Sequence, residues 1–357
     1  MPKLDELLGR MPKNGASDVF LMVGQKPKFK LHGEITPVDD WPVLERDFLN
    51  EILYELISEE QRQRYEQNMD FDFAYGLEGV ARYRANYFMQ RTGYAAVLRI
   101  IPSKIMTLKD LNLPPVLTKF CNRRSGLILV TGPTGSGKTT SLAAMINHIN
   151  ETQSRRIVTI EDPVEFVHPN KKSLISHREV HTHTHSFANA LRAISRQDAD
   201  VVLVGEMRDL ETIGLALSAA AMGTLVFGTL HTNSAGKTID RIIDAFPTDQ
   251  QAQARTVLAE SLRGIVAQQL LKKKGGKGRV AVNEVLIGNN AVSSIIREGR
   301  VERIASVLQS GRREGMQQMD DALEDFVKQG AVDGNDAYMK ANDKKRFEKY
   351  ADADVAA

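Results

Sequence analysis

At 357 residues the chain is long enough for two domains of ordinary size and for more than one core. Lys and Arg total 47 against 45 Asp and Glu, a formal net charge of +2, with 26% charged and 42% hydrophobic residues. That balance excludes wholesale disorder and supplies no large positive field for a nucleic-acid backbone. A single cysteine, Cys121, excludes an intrachain disulfide and a cysteine-rich zinc site and fits the reducing cytoplasm. The amino-terminal MPKLDELLGRMPK breaks its apolar residues with charges, unlike a secretory signal. The longest uncharged run, residues 212–230, contains Ser218, Gly223, Thr224, Gly228 and Thr229 and divides into a helix and a strand instead of a membrane span.

Leu4, Leu7, Leu8 and Met11 fall at helical spacing, and DVFLMVG and KFKLHGEITPV read as strands, the second turning at His32 and Gly33. Leu44, Phe48, Ile52 and Leu56 mark one face of a second helix, and Ser58 with Gln61 has capping-box spacing ahead of a third. In VARYRANYF, alternation puts Arg82, Arg84, Asn86 and Phe88 on one face and Ala81, Tyr83, Ala85 and Tyr87 on the other, and AAVLRII follows as another strand. These elements make a small α+β domain over 1–101. Three prolines bracket PSKIMTLKDLNLPP and mark a linker over 102–116.

From 117 to 335 the apolar runs lose their alternation. GLILVT, RIVTI, DVVLV and TLVFGTL, each expected to lead into a helix, read as strands of a parallel sheet buried on both faces, the pattern of a wound α/β domain. AVNEVLI adds a strand, preceded by a helix and by KKKGGKGR, a basic run read as a solvated loop. The final stretch, 336–357, is polar and is expected to be helical or disordered.

GPTGSGKT, residues 132–139, matches the phosphate-binding pattern GxxxxGK[ST] after the strand LILVT and before the helix TTSLAAMINHI. Gly132, Gly135 and Gly137, together with Pro133, Thr134 and Ser136, form a loop whose backbone N–H groups converge on an anion, and the helix end adds positive potential. Lys138 neutralises the β- and γ-phosphates, Thr139 ligates Mg2+, and Thr140 stays close to the α-phosphate. ATP and Mg2+ are the expected ligands.

RIVTIEDPVEF places Glu161, Asp162 and Glu165 at the end of a buried strand, where one of them orients water; for Glu165, as for Glu206 below, the alternative is a solvated strand-end acid. Glu206 follows VVLVG in the position of a Walker B acid that supports the metal through water. His231 ends a third buried strand and has three readings: a γ-phosphate sensor, a partner of an acid, or a core histidine. His181, His183 and His185 in HTHTH share one face of an extended segment at metal-like spacing but have no obvious carboxylate or cysteine partner. Arg84 and Arg99 are either ordinary strand residues or arginines that stabilise charge in phosphoryl transfer.

Taken in order, ASDVFLMVG, VARYRANYF, GPTGSGKTT, TIEDPVEFVH, VLVGEMRDLETI and GTLHTNSAGKTIDRIIDAFP closely resemble the PilT-type twitching-motility ATPases, motors of the secretion ATPase superfamily that retract type IV pili. The resemblance runs to about residue 330. It implies a PAS-like amino-terminal domain, a RecA-like P-loop ATPase domain and a homo-hexamer on the cytoplasmic face of the inner membrane. That ring would be peripheral to the membrane, bound to the pilus platform protein, and would have a paralogous pilus ATPase as a second possible partner. By the same resemblance Glu165 is the catalytic glutamate, Glu206 the Walker B acid, His231 a His-box residue, and Arg84 and Arg99 the arginine fingers.

Pilus-extension and type II secretion relatives usually carry a four-cysteine metal motif that a chain with only Cys121 cannot form. Thr224 stands in place of a usual His-box histidine, SRQDADVVLV replaces the usual LREDPDVILV, and Val292 and Ser293 depart from the usual retraction segment. Those departures keep open an accessory, PilU-like motor or a nucleotide-gated scaffold. A RecA-like DNA motor is disfavoured by the balanced charge and by the lack of an aromatic and basic stripe.

Overall fold

A computed structural model of the chain describes residues 2–31, 34–101, 104–276, 278–352 and 354. The turn at His32 and Gly33 and the first two linker positions, 102 and 103, lie outside the described residues. The chain divides into two compact units, Met1–Lys104 with Asp162–Val167, and Ile105–Glu161 with His168–Ala357.

In the first unit, α1 (Lys3–Asn14) buries Leu4, Leu7, Leu8 and Met11 and ends where Gly15 turns left-handed. Strands β1 (Ala16–Met22), β2 (Lys28–Leu31) and β3 (Glu34–Pro37) are followed by α2 (Arg46–Tyr54) and α3 (Glu59–Asn68). The capping box at α3 is present in both directions: Ser58 Oγ accepts from the Gln61 N–H, and Gln61 Oε1 accepts from the Ser58 N–H at 2.9 Å. Strands β4 (Asp70–Leu77), β5 (Ala81–Gln90) and β6 (Gly93–Ile101) complete an antiparallel sheet of order β3-β2-β1-β6-β5-β4. The sequence reading does not include β4, although Phe71 and Phe73 alternate with Asp70 and Asp72 in it. On the apolar face of β5, the Tyr83 hydroxyl donates to the Leu8 carbonyl at 2.8 Å and the Tyr87 hydroxyl to the Leu53 carbonyl at 3.0 Å. Two buried phenols thus tie α1 and α2 to the sheet while leaving no polar atom of their own unpaired.

The second unit opens with α4 (Val116–Cys121), β7 (Gly126–Thr131), α5 (Lys138–Thr152), β8 (Arg156–Glu161) and β9 (Leu174–Glu179). It continues through α6 (Phe187–Ala193), β10 (Val201–Val204), α7 (Leu210–Ala221), β11 (Leu225–Leu230), α8 (Ala235–Asp244) and α9 (Gln251–Ser261). Strands β12 (Leu262–Lys272) and β13 (Arg279–Ile287) precede α10 (Asn290–Glu298), α11 (Ile304–Ser310), α12 (Met319–Lys328), α13 (Gly334–Lys340) and α14 (Lys344–Phe347). The sheet runs β13-β12-β7-β11-β10-β8-β9, parallel throughout except for the β12–β13 hairpin. Every residue of β7, β10 and β11 is buried, which accounts for their uninterrupted apolar runs. The uncharged run at 212–230 divides into α7 and β11 as its composition requires.

Three expectations are corrected and one is narrowed. The segment before the basic loop is strand β12 and not a helix; burial on both faces erased the alternation that marks a strand. RIVTI leads not into a helix but through Pro163 and Pro169 to β9. HTHTH is no extended strip: His181 has a φ of 69°, its N–H donates to the Thr184 carbonyl, and His183 Nδ1 accepts from the Glu179 N–H at 3.1 Å, so the segment closes into a turn. Of the two readings of the final stretch, the disordered one does not hold over 340–350, where Ala341 and Phe347 are buried in a satellite core with Leu271, Val280, Val282 and Leu323.

That cap is held electrostatically as well. Glu324 accepts from Arg346 at 2.5 Å, Lys349 at 3.0 Å and the Tyr350 hydroxyl at 2.9 Å, and Arg346 also pairs with Asp321 at 2.8 Å. Hydrogen bonds from Arg346, then Lys349 and Tyr350, hold the Glu324 carboxyl far below its ordinary value of 4.5. A carboxyl depressed by folding stabilises above its ordinary value and loses that contribution as pH falls towards the folded one. Hydrogen-exchange protection over residues 340–350, relative to the intrinsic rate at each pH, should therefore fall below about pH 4. Glu324→Gln should show the faster exchange already at neutral pH, and equal rates for variant and parent would show that the clamp does not hold the cap.

Candidate active site

Strand β7 is flanked by β11 and β12 and delivers the chain at Thr131 into the 132–137 loop. The loop curls through Gly132 (φ 144°), Gly135 (78°) and Gly137 (83°), into α5 at Lys138. A Cβ at Gly132 would lie 2.2 Å from the Gln268 carbonyl oxygen and 2.7 Å from Ser136 Oγ, so close backbone approach as well as φ demands glycine there. No side chain caps α5, which leaves its first N–H groups for a ligand. Ser136 Oγ is buried without a protein partner at the same place. Pro133 and Thr134 are exposed on the loop, Thr139 and Thr140 are half-buried in the first turn of α5, and Lys138 Nζ donates to the carbonyls of Gly132 at 2.7 Å and Pro133 at 3.1 Å. A backbone cradle, an uncapped helix end and a lysine resting on loop carbonyls make a set of donors suited to a phosphate chain.

The neighbouring strands end on the same edge of the sheet, where open α/β sheets bind their ligands. Glu161 closes β8 and is buried, Glu206 follows β10, and His231 follows β11, the strand between β10 and β7. His231 Nε2 lies 2.8 Å from Glu206 Oε1, and Arg208 pairs with the same oxygen. Burial alone would raise the Glu206 carboxyl, but the hydrogen bond and charge of Arg208, followed by those of His231, outweigh it and hold the group below its ordinary value. Of the three readings of His231, the geometry places the ring on the acid. A cleft of about 240 Å³ opens here, with Arg208, Thr232 and Arg241 among its walls.

Three residues that shape this edge lie outside the sequence motifs or were not singled out within them. Gln268 on β12 donates through Nε2 to the Ser136 carbonyl at 2.6 Å and accepts from Ser141 Oγ at 2.8 Å. Glu284 on β13 accepts from the Ala235 N–H at 2.7 Å and fixes the start of α8, and burial pushes its carboxyl above the ordinary value. Arg208 is the third. Glu284 had a visible signal, a charge inside the apolar run VNEVLI, whereas Gln268 was hidden in a segment read as helix.

The remaining expected site residues belong to the first unit. Asp162–Val167, with Glu165, belongs to this unit, whereas Glu161 closes β8 in the second; Pro163 has no N–H with which to extend a ladder. Arg84 on β5 and Arg99 on β6 face each other across the strand pair. Like charges in that register repel, and each arginine has carboxylates. Arg99 Nε donates to the buried Asp18 at 2.7 Å, while Arg84 lies 3.6 Å from Glu165 and 3.8 Å from Asp72.

The family model described as Type II/IV secretion system protein matches residues 2–342. The chain belongs to this family. A twitching motility protein of Neisseria gonorrhoeae is 49% identical over 326 residues, which are 91% of this chain and 87% of the relative. The type IV pilus retraction ATPase PilT of Pseudomonas aeruginosa is 46% identical over 344 residues, 96% and 99% of the two chains. A crystal structure of the pilus retraction motor PilT with bound ADP superposes with a TM-score of 0.89 at 46% identity, covering 97% of this chain and 99% of the other. The seven-stranded unit is accordingly the RecA-like ATPase fold of the secretion family.

Gly132→Ala adds a methyl group against the Gln268 carbonyl at a φ that side chains rarely adopt. The substitution should destabilise the second unit by about 2 kcal/mol or more, measured by denaturant unfolding. A loss under about 0.5 kcal/mol would show that the loop yields instead of standing against β12.

Proposed function

We propose that the protein is a hexameric motor ATPase that hydrolyses ATP at the 132–140 loop to power type IV pilus retraction and twitching motility. The observation that carries the reading is the glycine cradle against β12 with the uncapped end of α5. It occurs in a chain that aligns over nine-tenths of its length with proteins described as twitching and pilus-retraction proteins. The ring works at the cytoplasmic face of the inner membrane on the pilus platform protein; no helix among the described residues is long and apolar enough to cross a membrane.

In this reading the N–H groups of the loop and of the first turn of α5 bind the phosphates, while Pro133 and Thr134 shape the exposed rim. Lys138 exchanges its carbonyl partners for phosphate oxygens, and Thr140 supports the α-phosphate. Thr139 and, through water, Glu206 would hold Mg2+, which would supply positive charge against the phosphates during transfer. Both donors are oxygens, the ligand type that Mg2+ requires. Arg208 and His231 keep Glu206 ionised and fixed in direction. Glu165 polarises the attacking water, and Arg84 and Arg99 stabilise charge on the transferred group.

The test is phosphate release by the purified protein against Mg-ATP concentration, with oligomeric state followed by light scattering. Lys138→Ala and Glu165→Gln should each lower turnover by about a hundredfold or more. Glu165→Gln should still bind ATP, and chelation of Mg2+ should stop turnover until the ion is restored. A folded hexamer that binds ATP without turnover would instead indicate a scaffold. Failure to restore twitching in a motor-deleted strain, despite turnover, would indicate an accessory motor dependent on a second ATPase.

A further inference from the structure

Gln268 lies outside every sequence motif and is only 1% exposed, yet its amide binds the phosphate loop at Ser136 and the helix that follows it at Ser141. The direction of the amide follows from its partners. Turned over, its oxygen would face the Ser136 carbonyl, two acceptors with no proton between them. The Ser136 carbonyl therefore points at β12. In a planar trans peptide the C=O and the following N–H point in opposite directions, so the N–H of Gly137 is turned away from β12. Gly137 leads directly into α5 and Lys138, the part of the loop assigned above to phosphate.

We propose that Gln268 is a positioning residue of the ATP site: it fixes the 136–137 peptide so that the Gly137 N–H faces the phosphate chain. Ser141, one turn into α5, is the brace that orients Gln268 itself. The same strand supplies the Gln268 carbonyl that excludes any Cβ at Gly132, so β12 holds both ends of the loop. The inference rests on the reading of 132–140 as the ATP site and goes beyond it by assigning a residue that touches no phosphate.

The experiment compares Gln268→Glu, Gln268→Leu and Ser141→Ala with the parent and with Lys138→Ala. Nucleotide affinity is read by calorimetry, turnover by phosphate release, and folding by thermal unfolding. Gln268→Leu keeps the volume and removes both hydrogen bonds; it should weaken ATP binding or turnover by about tenfold while remaining folded. Ser141→Ala should lose less.

Gln268→Glu supplies a readout that packing alone would not move. As a carboxylate it opposes the Ser136 carbonyl, and when protonated it donates to it again; burial raises a carboxyl pKa, so the protonated form is reached under mild acid. Its ATP affinity relative to the parent should be about tenfold weaker at about pH 8.5 and should recover to within about threefold at about pH 5.5. Gln268 variants that stay folded and bind and turn over ATP within about twofold of the parent at both pH values would overturn the proposal. A parent that binds no ATP, or one indifferent to Lys138→Ala, would overturn the nucleotide reading and this inference with it.

Discussion

The close approach of β12 to the loop that leaves β7 is the constraint on which the active edge depends. A parallel strand must end somewhere, and here it ends against the backbone of its neighbour, with the Gln268 carbonyl where a Cβ at Gly132 would stand. The chain has to curl, glycine has to occupy the contact, and the backbone amides that would otherwise enter a ladder are left to point elsewhere. Burying a side-chain amide next to that curl would cost about 1–3 kcal/mol if either end lacked a partner. Gln268 avoids this because the Ser136 carbonyl and Ser141 hydroxyl use both ends.

Charge along the same edge is arranged by compensation. Glu206 is partly buried, and burial works against its ionised form, but Arg208 and His231 on one of its oxygens reverse the balance. The acid stays ionised because its neighbours are cationic or can become so, and not because water reaches it freely. The first unit solves the converse problem. Arg84 and Arg99 would repel across β5 and β6 if left alone. Asp18, Asp72 and Glu165 make the pairing tolerable while leaving the Arg99 side chain 67% exposed.

Where local chemistry dictated structure, the sequence was readable. The capping box at Ser58 and Gln61, the alternating faces of β5, the helix and strand within 212–230, and the loop at 132–139 between β7 and α5 all follow from spacing within one short window. Where tertiary context decided, the reading failed. In β12, Leu262, Ile265, Val266 and Leu270 fall near helical spacing, and only pairing with β13 and β7 on its two edges, with α8 and α13 packed against it, makes the segment a buried strand. Gln268 was lost with it. HTHTH failed for another reason, since the left-handed His181 turns the chain in a way that alternation of residue types cannot reveal. The Lys340 segment looks too polar to pack until its basic residues meet Glu324 and Asp321, acids placed on α12 well before it.

Thr224, Val292 and Ser293, three of the departures from the family pattern, lie outside the phosphate loop. Thr224 precedes β11 and His231 follows it, so the six residues of that strand, about 20 Å of extended chain, separate the altered position from the ring that binds Glu206. Thr224 is integrated where it stands, its carbonyl accepting from the Gly126 N–H at the start of β7. Val292 and Ser293 sit on α10, where Val292 is buried and Ser293 Oγ donates to the Ala259 carbonyl at 2.6 Å, fastening α10 to α9. None of these three positions is in the phosphate loop or among the acids at its edge. The phosphate loop after β7, Glu206 after β10, His231 after β11 and Gln268 on β12 thus keep the arrangement described above.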